Sequence, residues 1–264
     1  PSAEAMQSVY QQFKNHGINL HIDAGADSID YVTGKTWGNL SGGNSMEYLS
    51  NFDLGSNYEN WNQMALNNFD RERWSVFRYC LFVNKYNNSR SSGIAEGIPG
   101  QFFIIADVDG WISGTNTATA GTFMHELGHT LGLRHGGSDN VHYKPNYLSI
   151  MNYSFQVTGL VGTNEVNYSE YVLPSLNENS LNENNGIDPD RITAGSNIGT
   201  KWYYEKDHRF LFFDFGTTTE SGTAPGVAGQ SIDFNVNGMI ENNVSVNLNA
   251  NAETNLSESV NDWN

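Results

Sequence analysis

Cysteine is nearly absent from this 264-residue chain, with Cys80 its only example. No intramolecular disulfide can form, so core packing or bound ions must hold the fold. Basic side chains are scarce as well: 13 Lys and Arg stand against 29 Asp and Glu, for a formal charge of −16. A chain without a basic excess cannot neutralise phosphates, which excludes nucleic acid and an anionic membrane surface as expected partners. No apolar run is long enough for a transmembrane helix. No signal-peptide pattern precedes Pro1, and the abrupt start reads as a mature or truncated form. Repeats of fixed period are missing too.

Apolar residues make up 38% of the chain and aromatics 12%, enough to build a core. The length fits one compact unit of two lobes rather than two independent domains. Ala3 to His16 has Met6, Val9, Tyr10 and Phe13 on one helical face, with Gly17 as a stop. Ile18 to Asp23 alternates and predicts a strand. The Gly-, Asn- and Ser-rich stretch from Ala24 to about Asn62 predicts loop. Arg71 to Tyr86 carries Trp74, Phe77 and Leu81 at helical spacing and predicts a second helix, with Cys80 inside it as a buried, inert thiol. Ser89 to Gly100 reads as a polar connector. Gln101 to Val108 is a strand whose unbroken apolar run suggests burial on both faces or an edge beside a cleft.

The chemistry is concentrated in His125-Glu126-Leu127-Gly128-His129-Thr130-Leu131-Gly132-Leu133-Arg134-His135, an H-E-x-x-H-x-x-G-x-x-H pattern on a helix predicted to begin near Thr119. His125 and His129 lie one helical turn apart and project from one face. Two imidazoles so placed can grip one Zn²⁺, with Glu126 beside the metal but not on it. Gly132 permits a sharp turn that brings His135 back as a third ligand. Three protein nitrogens leave a fourth tetrahedral position for water, the arrangement of a catalytic zinc. Glu126 then fits the role of general base toward that metal-bound water.

With Ser149-Ile150-Met151-Asn152-Tyr153 following downstream, the chain resembles the metzincin clan of zinc endopeptidases, whose signature is the long zinc motif plus a methionine-containing turn. The resemblance covers Ile18 to Phe155 and implies an α+β fold in two catalytic lobes, 1–132 and 133–264. The first would hold a twisted mixed sheet, a backing helix and the active-site helix. The second would be irregular, carrying the Met-turn and an Asn-rich tail. Substrate would lie in the cleft between them, with Gln101 to Val108 as the cleft-side edge strand to which a peptide adds. Met151 resembles the turn methionine that packs beneath the zinc site without coordinating it. Tyr153 resembles the tyrosine that, in some branches, contacts the metal or the tetrahedral intermediate. The Gly136-Gly137 pair after the third histidine matches no well-known branch. Zinc endopeptidase is the activity implied, on protein or peptide substrates, by a secreted monomer. An adhesion or binding module, or a cell-wall amide hydrolase, on the same scaffold are the alternatives. A replaced motif glutamate would mark the binding module, and Glu126 is intact.

A second chemistry is calcium. Asp233, Asn235 and Asn237 before Gly238 space oxygen ligands like the first half of a calcium loop, and residues from about Ser231 could begin a calcium-binding segment. Val244 stands where a complete EF-hand places a bidentate glutamate, so a full EF-hand is unsupported. Asp23 with Asp27, Asp107 with Asp109, and Asp188 with Asp190 are oxygen-rich turns that read singly as Asx turns. His142 lies between the third ligand and the methionine turn; it is read as a loop histidine rather than an extra ligand, as are His16, His21 and His208.

Overall fold

The computed structural model describes residues 1–187, 199–214 and 231–264. The Asp188–Asp190 turn falls outside them. The chain divides into two compact units, Pro1–Gly132 and Leu133–Asn264.

The first unit opens with α1, Ala3–Asn15. Ser2 caps it, its Oγ accepting the Ala5 N–H at 3.1 Å, and Met6, Val9, Tyr10 and Phe13 form its buried face. A short ribbon follows, β1 (Ile29–Asp30) with β2 (Lys35–Thr36), then helix α2, Glu59–Asn68. Strands β3 (Tyr79–Val83), β4 (Gly93–Ala95) and β5 (Phe102–Ala106) make a mixed sheet in the order β3-β5-β4. β3 runs parallel to β5, and β4 antiparallel. The metal-motif helix α3, Asn116–Leu131, completes the unit and packs on β4, β5 and α1.

β5 is buried at every position, as its unbroken apolar run requires. Phe102, Ile104 and Ala106 belong to a core with Trp61 and Ala65 of α2. On the opposite face Phe103 meets Phe123 of α3 edge to face, ring centroids 5.3 Å apart. Burying such a side chain contributes about 1.5–3 kcal/mol, so two-sided packing ties α3 firmly to the sheet.

The structure departs from the sequence expectations at several elements. Residues 71–86 form no long helix: a single turn at Arg71–Arg73 leads into strand β3, which carries Cys80. Trp74, Phe77 and Leu81 do face one core, but parallel pairing with β5 places Leu81 there from a strand. Residues 18–23 are irregular, and α2 lies at the end of and beyond the predicted loop. β5 is the central strand, not the edge. The edge strand nearest α3 is β4, inside the predicted connector.

The described residues of the second unit form short strands: β6 (Leu176–Asn177), β7 (Leu181–Asn182), β8 (Gly199–Tyr204), β9 (Arg209–Asp214), β10 (Asn242–Val244) and β11 (Asn255–Leu256). No α-helix occurs among its described residues. Leu148, Phe155, Trp202, Ile232, Phe234 and Leu256 share one core, so residues 231–264 fold with the methionine segment. The described residues thus make a mixed α+β fold, with a mixed sheet and few helices.

Candidate metal centre

Thr115 caps α3, which begins at Asn116 rather than near Thr119. Its Oγ1 accepts the Ala118 N–H at 3.0 Å and satisfies one of the helix's orphan donors. Residues 118–130 are then buried without interruption, which locks the motif side chains against the sheet. His125 and His129 are 1% and 6% exposed, their rings 4.7 Å apart and nearly perpendicular. Gly132 ends the helix in the left-handed region, φ 108°, its N–H returning to the carbonyls of Gly128 and His129. A side chain there would be strained, which is why this turn takes glycine.

Beyond the turn, one ligand atom from each of His125, His129 and His135 lies within 4.8 Å of the others, and this is the one such cluster of metal-ligating groups among the described residues. Three imidazole nitrogens converging from a mostly buried segment are a donor set suited to zinc.

Glu126 is 4% exposed. Burial raises its pKa to about 8, because a carboxylate is costly away from water; a nearby cation acts in the opposite direction. Its carboxylate rests against β4. A Cβ built on Gly93 would stand 2.6 Å from Glu126 Oε1 and 2.6 Å from the Ile104 carbonyl oxygen. Only glycine permits this close approach of strand and carboxylate. The Gly93 carbonyl accepts Tyr86 Oη at 2.8 Å and Ser91 Oγ at 2.9 Å, fixing the strand at that point.

The loop after His135 is pinned from within its own unit. Fully buried Lys144 donates to the Gly136 carbonyl at 2.9 Å, Ser257 Oγ at 2.8 Å and Asp139 at 3.3 Å. A Cβ on Gly136 would collide with the Asp139 carboxylate, which accounts for the first glycine of the pair. Asn152 donates to the carbonyls of Lys144 (2.8 Å) and Tyr147 (2.9 Å), and Ile150 donates to the Asn167 carbonyl at 2.9 Å. Met151 is therefore held fully buried in a tight turn. Asp262 binds the same segment, accepting from Tyr147 Oη at 2.8 Å, Ser149 Oγ at 2.7 Å and the Ser169 N–H at 2.9 Å.

Tyr153 lies over His135, ring centroids 4.4 Å apart. His142, expected to be a bystander, packs edge-on against both, at 4.8 Å from His135 and 4.9 Å from Tyr153. Burial lowers its pKa, which favours the neutral ring. Sequence reasoning found no signal for this placement. Only the pinned loop supplies it.

The Asp233 loop turns on itself. Asp233 is buried and accepts the N–H groups of Asn237 (3.1 Å) and Gly238 (2.7 Å), Asn235 Oδ1 accepts the Asn237 N–H at 3.0 Å, and Asn237 Oδ1 the Met239 N–H at 2.8 Å. Buried Glu183, just after β7, closes the loop, accepting the N–H groups of Asn235 at 3.3 Å and Glu241 at 3.0 Å. Asp107 and Asp23 likewise serve turns: Asp107 accepts from Ile112 and Ser113, and Asp23 from Gly25, Ser41, Gly42 and Arg73. His21 pairs with Asp30, away from the histidine cluster.

Comparison with protein families matches residues 2–136, just over half the chain, to the Reprolysin-like metallo-peptidases of family M12B. No curated protein and no solved structure matched.

Proposed function

The chain belongs to the Reprolysin-like M12B metallo-peptidase family, and from that premise we propose that it is a zinc-dependent endopeptidase with Glu126 as general base. The convergence of His125, His129 and His135, with Glu126 on the same buried helix, carries this reading. The three histidines would hold the ion. When bound, zinc supplies a Lewis acid that acidifies water toward neutrality and polarises a carbonyl.

The chain's own residues do the rest. Glu126 takes the proton of the attacking water on its carboxylate and returns it to the leaving amine. Gly93 leaves the room that this carboxylate needs against β4. The outer edge of β4 offers main-chain groups to an extended peptide, giving affinity without dependence on side-chain sequence. Tyr153 directs its phenol to the oxygen that gains charge as the carbonyl is attacked. Met151 serves as the Met-turn, an apolar floor that keeps the third-ligand loop in place. Protein and peptide substrates follow from the family; secretion as a monomer is part of the same reading. No described helix is long and apolar enough to cross a membrane.

Cleavage of a denatured general protein substrate tests the reading, with chelation abolishing it and added zinc restoring it. Wild-type protein that binds zinc yet cuts no internal bond of any protein would contradict it. Calcium at Asp233, Asn235 and Asn237 is the further ion in this reading. It predicts a lower melting temperature in calcium-free buffer with zinc retained; unchanged melting would remove it.

A further inference from the structure

His125 and His129 have their rings set by a buried helix, but His135 sits half-buried on irregular chain beyond Gly132. An imidazole binds metal through a lone pair in the ring plane, so ring rotation decides whether the ligand is productive. That torsion is intrinsically broad for histidine. The surroundings of the ring therefore fix it.

The neighbours of His135 form a small aromatic cage. His142 meets the His135 ring edge to face, at 85° and 4.8 Å, and meets Tyr153 the same way, at 81° and 4.9 Å. Tyr143 backs the group, 6.2 Å from His142 and 5.9 Å from Tyr153. These are favoured aromatic geometries. The cage has a firm base. The Val141 N–H binds Asp139 Oδ1 at 2.8 Å on one side of His142, and buried Lys144 anchors the other side to Gly136 and Ser257. Tyr143 takes left-handed backbone angles, φ 60°, uncommon for a residue with a side chain. That turn places consecutive rings of His142 and Tyr143 against Tyr153. The ring nitrogens of His142 do not join the three-histidine cluster.

We infer that His142 is a positioning residue, which sets the ring orientation of His135 and the place of the Tyr153 phenol through packing rather than by ligation. The inference rests on the zinc-endopeptidase reading of the site. Its action on metal affinity is nevertheless measurable without turnover.

The experiment compares wild type, His142→Ala and His142→Phe, each stripped and titrated with Co²⁺ alone, followed by its visible absorption. The zinc-loaded proteins are then assayed for kcat and KM on a peptide. His142→Ala is expected to bind Co²⁺ about 10-fold more weakly and to lose about 10-fold in kcat. KM should change less than kcat, since the role concerns the metal ligand and the phenol rather than uniform peptide binding. His142→Phe keeps a flat ring of similar size and should restore both quantities. A purely structural role would move the melting temperature and leave Co²⁺ affinity unchanged. Wild-type Co²⁺ affinity and kcat in His142→Ala would overturn the inference. So would a His142→Phe protein as defective as His142→Ala, since a nitrogen rather than a ring would then be required. Should His142→Ala not fold, His142→Phe alone decides, and weakened Co²⁺ binding there overturns the proposal. Wild type that takes up no Co²⁺ overturns the site reading and this inference with it, whereas wild type that binds Co²⁺ and cuts nothing overturns only the peptidase reading.

Discussion

Gly93 and Glu126 are in contact in a way that admits no side chain on the strand: a Cβ on Gly93 would stand 2.6 Å from Glu126 Oε1. The same Cβ would press on the Ile104 carbonyl of β5, so β4 has no room to retreat. The glutamate is thus held between its own helix and an edge strand whose carbonyl is bound by Tyr86 and Ser91.

Gly93→Ala should therefore displace the Glu126 carboxylate by the few tenths of an ångström or more that the methyl demands. Misplacing a catalytic group by about 1 Å can lower rate on the order of 100-fold. The expected result is a kcat reduced by about 10-fold to 100-fold with zinc content unchanged. Steady-state kinetics beside metal analysis checks it; wild-type kcat would show that Glu126 needs no such space.

Tyr153→Phe removes a hydroxyl and keeps the ring over His135. If the phenol stabilises developing charge, kcat should fall by about 10-fold to 100-fold while KM and zinc affinity hold. A fall in zinc affinity with unchanged kcat would instead make Tyr153 a wall of the ligand cage.

Asp262 gives a pH prediction. Desolvation raises its pKa from 3.8 to about 6, against the lowering effect of hydrogen bonds from Ser169, Ser149 and Tyr147. A raised acid binds its proton more tightly in the folded chain than in the unfolded one. Its contribution is therefore full below the unfolded value and is lost as pH rises through about 6. Asp262→Asn removes this titration and retains the shape. Relative to wild type, the variant should gain about 1–2 kcal/mol between pH 4 and pH 7, after allowance for partial exposure. Comparing the pair is needed because Asp23, Asp30 and Asp107 are lowered: burial pulls each upward, but its hydrogen-bond donors together outweigh that pull. Paired denaturant melts at the two pH values measure it, and a constant difference would show that Asp262 does not titrate in this window.

Local pattern made α1, β5 and the metal helix legible in the sequence. Met6, Val9, Tyr10 and Phe13 mark a clear amphipathic face stopped by Gly17, and β5 has an apolar residue at every position. The 71–86 segment misleads because Trp74, Phe77 and Leu81 recur at helical spacing, while pairing to β5, a distant partner, decides for strand. α2 was hidden by its asparagines; only Trp61 and Ala65, one turn apart, are buried. β4 is a three-residue strand in a polar stretch, and its importance depends on what Gly93 meets in space. The zinc motif was plain since its spacing is itself the chemistry. His142 was not, because its approach to His135 depends on Lys144, Gly136 and Ser257 meeting across more than a hundred residues.

The most direct measurement compares wild type with Glu126→Ala on a denatured protein substrate, with zinc quantified in both. Full zinc content in each protein, internal cleavage by wild type, and loss of turnover by at least about 10²-fold in the variant are expected. A zinc-loaded Glu126→Ala protein that cleaves at the wild-type rate would contradict Glu126 as the general base.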